Sequence, residues 1–221
     1  MTDTIADLRS EALEARAQAL YSDVLPYHNF EHIEQALSSA DRIVARCVQE
    51  NIHINLQVVY YALLFHDAGY HEDHRAKGHA TKEAYSAHLA RKVLDEFDVP
   101  DRDIDKTFAA ILATEKDASF VTVEQKVVRA ADLSGMADPY DQFLVKSLKL
   151  KRELEYLNNK EVTWHQWQLN SRDVLNHYMA QEIRLTSYFY NDSGESEFHA
   201  QVRENLRRLM AEPAEPQNSS A

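Results

Sequence analysis

The run Leu63-Leu64-Phe65-His66-Asp67-Ala68-Gly69 carries an apolar segment straight into an adjacent imidazole and carboxylate, then stops at a glycine. A segment this apolar has to lie inside the fold, and it takes His66 and Asp67 in with it. Burying an unpaired carboxylate there costs several kcal/mol, roughly, unless something cationic compensates it. A divalent metal ion is one compensation. A helix C-terminus whose last polar residues face water is the simpler alternative, and partners elsewhere in the chain decide between them.

The flanking sequence predicts helices. Asn55 suits the N-cap of a helix from Leu56 to about Ala68, and Gly69 suits a left-handed end. A first helix is expected over about Thr4–Tyr21, broken by Pro26. A second starts near Asn29, with Ile33, Ala36, Leu37, Ala40, Val44 and Cys47 as its buried stripe. Further helices are expected over Ala80–Phe97, around Ile104–Leu112, from Thr122 to Gly135, from Asp138-Pro139, from Thr163 through Leu185, and over Glu197–Met210. Trp164 and Trp167 are assigned to helix packing. Four glycines and five prolines among 221 residues leave few interruptions, and no alternating strand pattern appears. The expected fold is all-α, one domain over residues 1–211 with about eight or nine helices, its core at about 27–184. Residues 212–221 read as a disordered tail.

Composition removes several function classes. A net charge of −12 disfavours a general grip on nucleic acid, which needs a basic face. It leaves room for a small phosphorylated substrate, because a cleft is governed by its local charges. No apolar stretch approaches the ~20 residues needed to cross a bilayer, so no membrane partner is expected. The start lacks the apolar core of a signal peptide, and the lone Cys47 forms no intramolecular disulfide. Together these read as a soluble cytoplasmic protein.

Partners for His66 and Asp67 do occur. His32 follows Tyr27-His28-Asn29-Phe30-Glu31, and Asp132 follows Val127-Val128-Arg129-Ala130-Ala131 in an apolar setting. Two imidazoles and two carboxylates make a divalent-metal site with positions left open for water. The order His32, His66-Asp67, Asp132 resembles the HD-domain superfamily of metal-dependent phosphohydrolases, an all-helical fold. Phe65-His66-Asp67-Ala68-Gly69-Tyr70, Ile111-Leu112-Ala113-Thr114 and Ala131-Asp132-Leu133 resemble its small predicted bacterial members.

The resemblance implies metal ligation by His32, His66, Asp67 and Asp132. It implies catalysis by His28 and Asp67, with His28 as the general acid. It also points to Glu83 as an acidic residue behind the ligands. Lysine is a point charge for phosphate, which makes Lys77, Lys82, Lys116 and Lys146 candidate phosphate contacts. The ligand types suit Mn, Fe, Co, Zn, Ni or Mg.

The expected function is hydrolysis of a small phosphate ester, possibly a nucleotide, by metal-activated water. Two alternatives stay open: a di-iron oxygenase recruiting His79 or His88, and a non-catalytic metal-stabilised binding protein. Tyr70 stands where related nucleotidases often carry a glutamate. No histidine lies near Thr114, where a second metal would find a further ligand.

Overall fold

Short polar side chains start most of the helices. The computed structural model describes residues 4–216, and every regular element among them is helical. In chain order these are α1 (Glu11–Gln18), α2 (Phe30–Gln49), α3 (Leu56–Phe65), α4 (Lys82–Glu96), α5 (Asp101–Leu112), α6 (Val123–Leu133), α7 (Tyr140–Asn158), α8 (Trp164–Met179) and α9 (Glu197–Ala211). Asn29, Asn55 and Thr81 cap α2, α3 and α4 by accepting from backbone amides of the first turn. Thr122 with Gln125, and Thr163 with Gln166, form reciprocal capping boxes at α6 and α8. Helices α5 and α7 begin directly after Pro100 and Pro139. Pro139, expected as the first helical residue of α7, is therefore its N-cap, and Asp138, expected as the N-cap, lies one residue outside it.

A chain with few glycines must end helices by other means. Asn51, Asp98 and Asn159 take the left-handed conformation just beyond α2, α4 and α7, at φ of 58°, 54° and 47°. These two residue types tolerate that region best after glycine.

The described residues divide into two compact units, one of those up to Ser134 with Ile183–Thr186 and the other of Gly135–Glu182 with those from Ser187 onward. In the first, α3 is the central element and packs against α1, α2, α4, α5 and α6. Every residue from Val58 to Phe65 is buried, as a helix apolar on all sides requires. The expected α2 stripe is buried throughout, and burial pushes the Cys47 thiol up to about 11.

Two helices differ from the sequence expectation here. Instead of one helix over Thr4–Tyr21, a short 3₁₀ turn at Ala6–Leu8 precedes α1. The Ser10 side chain interrupts the run by accepting from Leu13 N–H and starting a new helix. Helix α3 ends at Phe65 rather than near Ala68, so Asp67 lies in a turn and not on a helix. Competing partners explain this. The Gly69 N–H donates to the Leu20 carbonyl at 2.9 Å instead of continuing the helix. The Tyr21 hydroxyl donates to the Leu64 carbonyl at 2.8 Å, satisfying an acceptor the shortened helix leaves over.

Gly69 is required in this turn. Its φ is +72°, and a Cβ there would lie 2.6 Å from Tyr85 Cε1 and 2.8 Å from Leu89 Cδ1. Gly69→Ala is therefore expected to destabilise by about 2–4 kcal/mol, combining backbone strain with overpacking. Gly78 also has positive φ, at +86°, but nothing lies within 4 Å of its Cβ direction. Gly78→Ala should cost only about 1 kcal/mol, from backbone strain alone. Paired thermal or urea unfolding of the two variants checks the difference.

In the second unit α9 packs against α7 and α8. The fully buried Asn205 donates from Nδ2 to the carbonyls of Met136 and Asp138, at 2.9 and 2.8 Å. Trp167 is buried and donates to Ser147 Oγ at 2.9 Å, so it serves α7–α8 packing. Trp164 and Gln168 donate to the Glu212 carbonyl, and Lys151 pairs with Glu215 at 3.0 Å. These contacts hold the start of the segment expected to be a tail; residues 217–221 lie outside the described residues. Helix α8 stops at Met179, whereas Ile183 and Leu185 had been expected to continue it. Those two are buried in the segment that belongs to the first unit. No helix of the described residues is long and apolar enough to cross a membrane.

Candidate metal centre

Three elements of the first unit bring His32, His66 and Asp132 together, with Asp67 beside the two histidines. His32 sits in the first turn of α2, fixed by the Asn29 cap immediately before it. His66 is the C-cap residue immediately after buried α3, and Asp67 follows in the turn closed by Gly69. Asp132 is carried near the end of α6. His32 Nε2 and His66 Nε2 are 3.3 Å apart. Asp132 Oδ1 lies 3.3 Å from His32 Nε2 and 3.5 Å from His66 Nε2. Asp67 Oδ2 lies 3.5 and 3.2 Å from the same two atoms.

These separations lie at the long end of hydrogen bonding. For His32, His66 and Asp132 they are close to the edges of a coordination polyhedron, about 3.0–3.4 Å for ligands some 2.1 Å from a common centre. Among the described residues, the group of three or more His, Cys, Asp or Glu whose ligand atoms all fall within 4.8 Å of one another is His32, His66 and Asp132. Asp67 adjoins it through the histidine nitrogens. The donor set suits a borderline or hard divalent ion.

The histidine orientation fits ligation. His66 Nδ1 lies 2.9 Å from the Leu63 carbonyl, which can only accept, so Nδ1 carries a proton and Nε2 faces the cluster. His32 packs against the Tyr27 ring, with centroids 4.7 Å apart. His66 is 1 % exposed, His32 6 %, Asp67 14 % and Asp132 21 % at the side chain, so the cluster opens toward its carboxylates.

Electrostatics without an ion follow from burial and mutual contact. Burial lowers the His32 pKa, and the nearby carboxylates only partly offset that effect. For His66 burial acts in the same sense, but Asp67 and Asp132 outweigh it and raise the pKa well above the usual value. Burial would raise both carboxylates, yet His66, His28 and His32 bring Asp67 down to about 2. Contacts with His32 and His66 lower Asp132 further still. The carboxylates thus favour the charged form of His66, and a divalent ion bound at Nε2 would compete with a proton there.

This sets an acid limit on the metal-free fold. Both carboxylates have folded pKa values below the ordinary 3.8, so their contribution is present above about pH 4 and is lost as pH falls toward 2. The two histidines shift in opposite senses and oppose each other nearer neutrality. Thermal melts in chelator should show a steep loss between pH 4 and 2, with a shallower slope for Asp132→Asn.

Around the cluster the other expected residues separate. His28 lies just before α2 rather than on it, and its ring stands 5.9 Å from that of His32. Tyr70 stacks on His28 at 3.9 Å, and the Lys82 ammonium sits 3.4 Å over the Tyr70 ring. Glu83 is half-buried in the first turn of α4; burial, then Glu115 and Asp67, raise its carboxyl. Lys77 is exposed and pairs with Glu72 at 2.7 Å. Lys116 is exposed on the loop after α5. Lys146 belongs to the second unit, where it pairs with Asp138 at 2.6 Å. His79 packs against Tyr85 and His88, with ring centroids 5.2 and 5.0 Å away.

Sequence reading missed Arg129. It is 1 % exposed, one helical turn before Asp132, and donates to the carbonyls of Thr114, Glu115 and Lys116 at 2.6, 3.0 and 3.1 Å. Glu115 in turn accepts from the Thr81 hydroxyl at 2.6 Å, tying this loop to the start of α4. A charge inside the apolar run Val127–Ala131 was the available signal, of the same kind that marks His66 and Asp67. No protein-family model and no curated protein sequence matches the chain.

Proposed function

We propose that the protein is a metal-dependent phosphohydrolase that cleaves a small phosphate ester. The observation that carries this reading is the convergence of His32, His66, Asp67 and Asp132, with five donor separations of 3.2–3.5 Å. The chain's resemblance to HD-domain phosphohydrolases in the order of these residues supports it.

Bound at these donors, a divalent ion supplies Lewis-acid polarisation of a phosphoryl oxygen and a water acidic enough to attack near neutral pH. Asp67 and Asp132 provide the negative charge that retains the ion, and the Leu63 carbonyl keeps His66 Nε2 aimed at it. His28 lies beside the cluster, close enough for its charge to lower Asp67. There it can give a proton to the departing alkoxide oxygen, which cannot leave easily as an anion.

Phosphate release from a nucleotide and phosphoester panel, run with each common divalent ion, tests the reading. His28→Asn should lower kcat by about 10²–10⁴ while metal content stays at the parent level. A protein that holds its ion but releases phosphate from no member of the panel would contradict hydrolysis and favour a binding role.

A further inference from the structure

Beside the four donors, Tyr70 is the centre of a second arrangement. His28 lies parallel to it, at 3.9 Å and 7° between planes, and Lys82 Nζ stands 3.4 Å from the ring centroid. Two groups this close to one centroid would overlap on a single face, so they occupy opposite faces and the tyrosine ring is sandwiched between them. The row joins three chain segments. His28 precedes the Asn29 cap of the helix that carries His32. Tyr70 belongs to the Asp67 turn, its N–H donating to the Asp67 carbonyl at 3.1 Å. Lys82 is the first residue of α4, held by the Thr81 cap and the Thr81–Glu115 bond.

Two further facts give the row a purpose. Tyr27 meets His28 edge-on at 4.9 Å and also contacts His32, so the His28 ring is confined between two tyrosines. Glu83 feels the negative charges of both Glu115 and Asp67 on this side of the centre. An anion approaching such a surface is repelled unless a fixed positive group faces it. A lysine left to itself wanders over many rotamers; a ring face restrains its ammonium while keeping the charge.

Resting on the phosphohydrolase reading, we propose that Tyr70 is a positioning residue that fixes Lys82 as the anion contact and His28 as the hydrogen-bonding contact for the phosphate of the substrate. The ring, rather than the hydroxyl, carries the role.

The test uses full-length metal-loaded protein, calorimetric titration with inorganic phosphate, and steady-state kinetics on a phosphoester that the parent hydrolyses. Tyr70→Phe should match the parent within about twofold, because the ring is retained. Tyr70→Leu should keep its metal but bind phosphate about tenfold more weakly, with KM raised by a similar factor. Lys82→Met, an exchange on a half-buried side chain, should reproduce the loss of phosphate affinity and the rise in KM while metal content stays at the parent level.

Metal-loaded Tyr70→Leu and Lys82→Met proteins with phosphate affinity and KM within twofold of the parent would overturn the proposal. A metal-loaded parent that binds no phosphate would instead overturn the phosphohydrolase reading, and this role with it. The two failures are distinct, since the second appears before any variant is made.

Discussion

Asp132→Ala is expected to lose the bound ion and to lower phosphoester turnover by about a thousandfold or more. On the proposed reading the carboxylate would supply one of the donors, and it lies 3.3 and 3.5 Å from the two histidine nitrogens. Without it, His32, His66 and Asp67 remain, with half the anionic charge that retains a divalent cation. The fold should survive, because the Asp132 side chain is 21 % exposed and sits near the end of α6. Circular dichroism should therefore match the parent while metal content collapses. Asp132→Asn keeps the shape and an oxygen donor but not the charge, and should fall between the two. Metal content and initial rates, measured side by side on all three proteins, check the order.

Arg129→Met is expected to give the largest loss of stability, about 3–5 kcal/mol. Three carbonyls that now accept from a charged, buried guanidinium would be left with nothing of comparable strength. Methionine fills much of the volume, so cavity formation is a minor part of the cost. The lost donors should be felt beyond folding, because the loop they hold carries Glu115 and through it the Thr81 cap of α4. Urea unfolding gives the stability term. At temperatures where the variant stays folded, weaker phosphate binding with metal retained would report the displaced α4 start.

Much of the fold was legible because its signals are local. The Asn55, Thr122 and Thr163 caps stand where side-chain chemistry puts them, and the α2 stripe is buried as its spacing predicts. The errors fall where a distant partner decides. Helix α3 stops short because Leu20 and Tyr21, more than forty positions away, take its terminal groups. Left-handed helix ends at Asn51, Asp98 and Asn159 had weaker signals than glycine would have given. In the candidate site, His66, Asp67 and Asp132 were visible as polar residues at the ends of apolar runs, and His32 only through its place in the order of the four. The Tyr70 sandwich was not, because it joins segments that only the fold brings together.

The central claim is that His32, His66, Asp67 and Asp132 hold a divalent ion, and metal analysis of protein purified without chelators or added metals tests it most directly. The expected result is close to one divalent ion per chain in the parent, and none retained by Asp132→Ala. A parent that neither carries nor takes up a divalent ion, or an Asp67→Ala protein with full metal content and activity, would contradict it.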